Sequence, residues 1–470
     1  MSKYSFFDII ITERGVIMNF KLLLKDYYEE SLKTLTKLIQ INSVYDEKTV
    51  TEKMPYGLGV YNAHQFMKEI ALKDGFQVDE CDNRCLEISF GEGETLVGIF
   101  AHLDVVPVSG EWRFPPFSAH IENDVMYGRG TSDDKGPAVS AYYALKALKE
   151  HNLIKKYRVK LVLGCDEERG SSCLDYYFNK LKKEQPTYGF TPDGDFPLIY
   201  GEKGISNYKV EGKIFLGPIK EINAGVVSNS VIDKAIVTVT DKNKLLDYLK
   251  SNANIKYEIL SETENELTVN FIGKSAHGSL PKLGINSGII ALEVLGKVYD
   301  IPFLKRLSSD YKDPNGKKLG QYFNSENLGE TTYNVGLISY KNSLFSMTVN
   351  FRYPETVEVK KVIEDLSKDS DLPIVILSES KPLFYDPINT PFIKKLSEVY
   401  IEETNDTINK PMTIGGGTYA KEAKNTVAFG SHFPNKEDHI HEANEKIDLE
   451  DFYNSMPIYA NAIFSLGNLK

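Results

Sequence analysis

The chain has 470 residues, about three times a typical domain length, so two large domains are the first expectation. Apolar (41%), aromatic (11%) and charged (26%) fractions are those of an ordinary globular protein, and disorder is excluded as the default. With 55 basic against 66 acidic residues the net charge is −11, which argues against partners such as nucleic acid or an anionic membrane.

Residues 6–11 are apolar but few, include Asp8 and lack a small-residue cleavage site, so they do not read as a signal peptide. Residues 1–17 read as a tail or an over-long start, and an amphipathic segment opens at Met18. No run reaches the roughly 18 apolar residues of a membrane span. The four cysteines (Cys81, Cys85, Cys165, Cys173) are too few and too scattered for a secreted disulfide framework. Cys81 and Cys85 have no second Cys/His pair nearby and read as ordinary thiols. The expected address is a reducing cytoplasm.

Leu23, Leu24, Leu35, Leu38 and Ile39 recur at three- and four-residue steps and predict helix over residues 20–41. A second helix is expected over 60–73, ending before Gly75, which suits a left-handed cap. Leu96-Val97-Gly98-Ile99-Phe100-Ala101 reads as a buried strand. Ala138, Ala141, Tyr142, Leu145 and Leu148 form one helical face, and residues 159–163 read as another strand, running into Cys165-Asp166-Glu167-Glu168. Strands alternating with helices of this length predict an α/β block with a mostly parallel central sheet, covered on both faces. After about residue 205 the texture turns to α+β, with alternating stretches at 234–240, 256–260, 267–273 and 344–352 and a helix at 287–298. Helical segments return at 391–402 and 449–466. The pattern is that of one domain inserted into another.

Several polar groups fall just beyond strand ends, where open α/β sheets bind ligands. His102-Leu103-Asp104 follows the first buried strand, and Glu167-Glu168 follows the second. Asp193 follows a further short extended run, and Asp133-Asp134 sits in a glycine-ringed turn that opens a helix. One Asp there would serve as an N-cap; two exceed what capping requires. Gathered at one sheet edge, these carboxylates would repel one another and their pKa values would rise. One or two divalent cations relieve that, and imidazole mixed with carboxylate suits zinc, with manganese or cobalt as substitutes. No Gly-x-Gly-x-x-Gly opens a helix after the first strand, so a nucleotide-binding reading is disfavoured.

Three segments together resemble the core motifs of a two-zinc peptidase family: His102-Leu103-Asp104-Val105-Val106-Pro107, Gly130-Thr131-Ser132-Asp133-Asp134-Lys135-Gly136-Pro137 and Asp166-Glu167-Glu168-Arg169-Gly170-Ser171-Ser172. That family includes aminoacylases, carboxypeptidase G, succinyl-diaminopimelate desuccinylase, carnosinases and PepV-type dipeptidases. Phe190-Thr191-Pro192-Asp193-Gly194-Asp195-Phe196-Pro197, Gly201-Glu202-Lys203-Gly204 and Gly415-Gly416-Gly417-Thr418-Tyr419-Ala420 resemble the PepV-type branch. The resemblance runs in chain order from about Phe20 to the C-terminus.

It implies an α/β catalytic domain (1–204 and 386–470) and an inserted α+β lid (205–385), long enough for two lobes. Two Zn2+ are implied, with Mn2+ or Co2+ as alternatives: His102, Asp133 and Asp193 hold one metal, while Glu168, His441 and the bridging Asp133 hold the other. His441 matches a His-x-x-Asn-Glu pattern at 441–445; its rival, His439, lacks the Asn-Glu at the right offset. Asp104 is implied to accept the other ring N–H of His102. Glu167 is implied as the general base that activates a water between the metals. The peptide bond after Asp133 is expected to be cis.

In the lid, His277 in Gly273-Lys274-Ser275-Ala276-His277-Gly278-Ser279 is implied to stabilise an oxyanion. Arg352 would clamp a C-terminal carboxylate, with backbone amides near Gly416 as a further contact. Asn229 matches a polar substrate contact, although Ile232 stands where the family usually has proline. The implied activity is hydrolysis of dipeptides with a free N-terminus, by a chain that works as a monomer. The alternatives are an aminoacylase or N-acyl amino acid deacylase, and a non-catalytic peptide-binding protein on a degenerate scaffold. The last would lack a ligand or base, and all those positions are filled.

Overall fold

The computed structural model describes residues 9–12, 15–437 and 439–469. Residues 1–8, 13 and 14 of the expected tail lie outside the described set; Ile9–Thr12 and Gly15–Met18 pair as a two-stranded ribbon. The chain divides into two compact units. One comprises Met1–Tyr200, Tyr385–Met412 and Thr418–Lys470; the other comprises Gly201–Phe384 and Thr413–Gly417.

In the first unit the 20–41 periodicity yields a short helix, Phe20–Leu24, one 3-10 turn and then α1 (Tyr28–Ile39). Helix α2 (Leu58–Lys73) ends ahead of Gly75, whose φ of 74° lies in the left-handed region that glycine enters without a Cβ clash. Strands β1 (Gln77–Asp79), β2 (Cys85–Gly91) and β3 (Thr95–His102) follow, then α3 (Lys135–Glu150), β4 (Tyr157–Gly164) and β5 (Tyr188–Thr191).

The second unit contributes β6 (Gly204–Lys213), β7 (Ile219–Ala224), β8 (Lys234–Val239), α4 (Lys242–Ser251), β9 (Tyr257–Glu262) and β10 (Leu267–Ile272). It continues with α5 (Ser287–Val298), α6 (Pro302–Tyr311), β11 (Thr332–Lys341), β12 (Leu344–Tyr353), α7 (Val359–Lys368) and β13 (Ile374–Ser380). These strands form one antiparallel sheet in the order β9-β10-β8-β7-β11-β12-β6-β13. Period-two alternation sends Phe345, Met347, Val349, Phe351 and Tyr353 of β12 into an apolar core shared with α5 and α6, and Ser346, Thr348, Asn350 and Arg352 to the other face. Glu221–Ala224 of β7 pairs with Ile338–Lys341 of β11, so the ladder runs unbroken across the insertion and one core serves it.

The chain returns to the first unit with α8 (Pro391–Thr404), β14 (Thr426–Ala428) and α9 (Leu449–Gly467). The sheet order there is β14-β5-β3-β4-β2-β1. Pairings β14/β5, β5/β3 and β3/β4 are parallel, whereas β2 and β1 run antiparallel. Ile199 also pairs antiparallel with Ala428, so the sheet is mixed, parallel in its middle and antiparallel at its edges. Helix α3 is buried from Lys135 to Leu148, and α9 packs against it in the main core. The parallel centre has a geometric consequence: the carboxyl ends of β3, β4 and β5 lie along one edge.

Candidate metal centre

Those three ends and two turns supply the site. His102 closes β3, Glu167 and Glu168 follow β4 by three and four residues, and Asp193 follows β5 by two. Asp133 and Asp134 immediately precede α3, and the bond between them is cis, as expected. Two groups of ligand atoms result: His102, Asp133 and Asp193; and Asp133, Glu168 and His441.

Asp133 faces both groups. Its Oδ1 lies 3.0 Å from His102 Nε2, and its Oδ2 lies 2.9 Å from His441 Nε2. Asp193 Oδ2 is 3.8 Å from His102 Nε2, and Glu168 Oε2 is 3.1 Å from His441 Nε2. Tetrahedral zinc with ligand bonds of 2.0–2.2 Å sets its donor atoms about 3.3 Å apart, a value these spacings bracket. Each group mixes one imidazole with two carboxylates, which also suits zinc. The residues present therefore fit a dinuclear site. His439 stands outside both groups and sits 3.2 Å from Glu437.

The electrostatics express the same crowding. Burial works against charge on His441, but hydrogen bonds to Asp133 and Glu168 overcome it and lift the imidazole to about 11. Burial likewise opposes charge on His102, and Asp104 and Asp133 hold it well above the usual histidine range. Burial raises Asp133, yet the two imidazoles keep it below the usual carboxylate range. Glu167 is pushed well above that range by burial and, against the pull of His102, by Asp193, Glu168 and Asp133.

The surrounding contacts hold these groups in place. His102 Nδ1 bonds Asp104 through its main-chain carbonyl at 3.0 Å, while the carboxylate stands 3.6 Å away. That carboxylate instead accepts the backbone N–H groups of Glu167 and Glu168, each at 3.1 Å, because the β3 and β4 turns lie side by side. Asp134 Oδ2 accepts the main-chain N–H of His102 at 2.9 Å, which explains the second carboxylate of the pair.

A residue outside the predicted set, Glu445, organises the turn at Asp133. Lys446–Asp448 pairs with Val125–Tyr127 and brings Glu445 beside that turn. Its buried carboxylate accepts from Arg129 Nη1 at 2.6 Å and from the main-chain N–H groups of Gly130, Ser132 and Asp133 at 2.9–3.2 Å. The Asn444-Glu445 end of the pattern at His441 and the arginine between Gly128 and Gly130 were the available signals.

In the second unit, His277 is exposed and its Nδ1 lies 2.6 Å from Ser279 Oγ. The Asn229 carbonyl accepts the Gly278 N–H at 2.7 Å. Arg352 is buried; it donates through Nε to Asn350 Oδ1 at 2.7 Å and through Nη1 to the carbonyl of Gly415, next to Gly416, at 2.8 Å. Burial lowers its guanidinium to about 10.

A mixed α/β sheet with this donor set at its parallel strand ends defines a metal-dependent hydrolase. The family model described as peptidase family M20/M25/M40 matches residues 98–465, and the chain belongs to that family. A Staphylococcus aureus (strain USA300) protein named as a candidate dipeptidase is 35% identical, covering 94% of this chain and 98% of its own. Among solved structures, an M20-family metallo-carboxypeptidase from Sulfolobus solfataricus shares the fold at TM-score 0.59 and 19% identity, covering 93% of this chain and 99% of that one. Human carnosine dipeptidase 1 does so at 0.58 and 14%, covering 96% and 98%. Among the described residues no helix is long and apolar enough to cross a membrane.

Proposed function

We propose that the chain is a PepV-type dipeptidase that hydrolyses dipeptides with a free N-terminus. The observation that carries this is one carboxylate, Asp133, shared between two imidazole–carboxylate groups with Glu167 beside them. The 35% identity to candidate dipeptidases over nearly the whole chain supports the same substrate class. His102, Asp133 and Asp193 would hold one ion and Asp133, Glu168 and His441 the other. When bound, two Zn2+ (or Mn2+ or Co2+) supply Lewis acidity for the scissile carbonyl and acidify a water.

Glu167, which is not needed as a ligand, takes a proton from the attacking water on a carboxylate oxygen and returns it to the leaving amine. Asp104 keeps the Glu167–Glu168 turn in place through its two backbone contacts. The first unit acts as the catalytic domain and the second as the lid. By the family resemblance, His277 stabilises the oxyanion of the tetrahedral intermediate, Asn229 makes a polar contact to the substrate, and Arg352 with the amides near Gly416 binds its C-terminal carboxylate. Each chain is complete as a monomer, and its address is the cytoplasm.

The test is steady-state hydrolysis of a free dipeptide against its N-acetylated analogue, with metal content measured on the same sample. Preference for the free dipeptide supports the reading. Preference for the acetylated substrate makes the chain an aminoacylase, and hydrolysis of neither makes it a binding protein.

A further inference from the structure

The face of the second unit's sheet opposite its apolar core carries three asparagines in one row. Asn207 of β6, Asn350 of β12 and Asn334 of β11 are direct cross-strand partners on three adjacent strands. The next row on that face holds Ile205, Arg352 and Thr332. Asn334 and Asn350 are both 1% exposed, as deep as core residues, so their amide bonds decide how the face is organised. Asn350 Nδ2 donates to Asn207 Oδ1 at 2.9 Å, leaving Asn350 Oδ1 to accept Arg352 Nε at 2.7 Å. Among the described residues no acidic side chain pairs with Arg352. Its orienting acceptors, the Asn350 amide on Nε and the Gly415 carbonyl on Nη1, are both neutral, which fixes the plane of the fork without cancelling its charge.

Asn334 works in another direction. Its Nδ2 donates to the carbonyls of Ser228 and Ser230, each at 2.9 Å, and so grips the turn on both sides of Asn229. That turn passes close over β11: a Cβ on Gly336 would meet the Ser228 carbonyl at 2.2 Å. It is also tied to the His277 loop. Gly278 N–H donates to Asn229 O at 2.7 Å, Val231 N–H to Ala276 O at 2.9 Å, and the Ser230 and Ser275 hydroxyls meet at 2.9 Å. Asn334 Oδ1 has no hydrogen-bond partner among the described residues, so the two N–H bonds are the amide's recorded work.

We infer that Asn350 and Asn334 are positioning residues with separable tasks: Asn350 aims the Arg352 fork at a substrate carboxylate, and Asn334 fixes the Asn229 turn and, through it, the His277 loop. This rests on the roles of Arg352, Asn229 and His277 given under Proposed function. Loss of aim at a carboxylate bound equally in ground and transition states appears in KM, whereas loss of a contact that tightens only in the transition state appears in kcat.

The experiment measures kcat and KM on a free-acid dipeptide and on its C-terminal amide, using metal-loaded wild type, Asn350→Asp and Asn334→Leu. Asn350→Asp keeps the acceptor but adds a charge beside Arg352. It should raise KM for the acid by about tenfold or more and leave the amide unchanged. Asn334→Leu keeps the branched outline of the side chain, at a larger volume, and removes both donors. It should lower kcat about tenfold on acid and amide alike, at constant KM, as expected for two lost hydrogen bonds. Asn350→Ala and Asn334→Ala carry the same two expectations wherever a first variant does not fold. Wild type that cleaves no dipeptide overturns the functional reading and this inference with it. Active wild type, with both variants changed in the same parameter or in neither, overturns this inference alone.

Discussion

Replacing Glu445 with Gln tests whether the turn at Asp133 is held from behind. The side chain keeps its size, but the anion that receives Arg129 and three main-chain N–H groups is gone. Arg129 is 1% exposed, and its Nε and Nη2 already have no partner among the described residues, so it would be left as a buried, unpaired cation. Breaking a buried pair by removing one partner costs about 3–5 kcal/mol. The amide oxygen that remains can stand where Oε1 accepts the main-chain donors and keep part of those contacts, which places the expected loss at the lower end, about 3 kcal/mol. Metal affinity should fall about 10–100-fold, the usual effect of losing a group that orients a ligand. Urea unfolding and competitive metal titration measure the two quantities. Trp112, the only tryptophan, provides a local signal because its ring lies 5.3 Å from the Arg129 guanidinium. Wild-type metal affinity together with a stability loss below about 1 kcal/mol would refute the argument, since Glu445 would then be holding nothing.

Glu167→Ala should stay folded and metal-loaded while turnover drops at least ~10²-fold, whereas His102→Ala and Asp133→Ala should lose metal as well; equal metal loss in all three would end that division of roles. Arg352→Met should penalise free-acid dipeptides by roughly 2–5 kcal/mol and spare their C-terminal amides, and equal impairment of both would make Arg352 structural. Because His441 is raised to about 11 without metal, it is protonated at neutral pH and must lose that proton to coordinate. Metal binding at pH 7 should therefore release on the order of one proton or more and weaken as pH falls, visible in calorimetry as a heat that depends on buffer ionisation enthalpy. A buffer-independent heat would contradict it. For the monomer, specific activity should hold on dilution and a mixture of His277→Ala with Glu167→Ala should recover nothing; recovered activity would mean that the histidine acts across chains.

Three of the five candidate ligands were legible as candidates because strand ends are, whereas Asp133 opens a helix and His441 came from the family resemblance. A short apolar run bounded by glycine and acids reads as a buried strand, and in a parallel sheet the residues after such strands share one edge; His102, Glu168 and Asp193 all follow that rule. Asp104 was legible as a residue but not as an atom, since carbonyl and carboxylate compete for the same ring N–H within one turn. Glu445 was hidden because its partners lie more than 300 residues away in sequence, and no periodicity records a carboxylate that caps a distant turn. The same limit concealed the single sheet of the insertion. Each β strand announces its own alternation, but the pairing of β7 with β11 that joins the halves is a long-range choice. Nor does hydrophobic pattern assign five residues, Thr413–Gly417, to the second unit, where Gly415 serves as an acceptor for Arg352.

Asp133 offers one oxygen to each imidazole, 3.0 Å and 2.9 Å away. A cation drawn to either oxygen changes the charge and orientation of the carboxylate that the other cation meets. Were both groups to bind an ion, the two occupancies would be thermodynamically linked, and the factor by which the first ion altered the affinity for the second would equal the factor in the reverse direction. An apparent dissociation constant would then belong to the pair of ions rather than to either position. Exchange of one ion for a different element would retune its neighbour without any protein residue being altered.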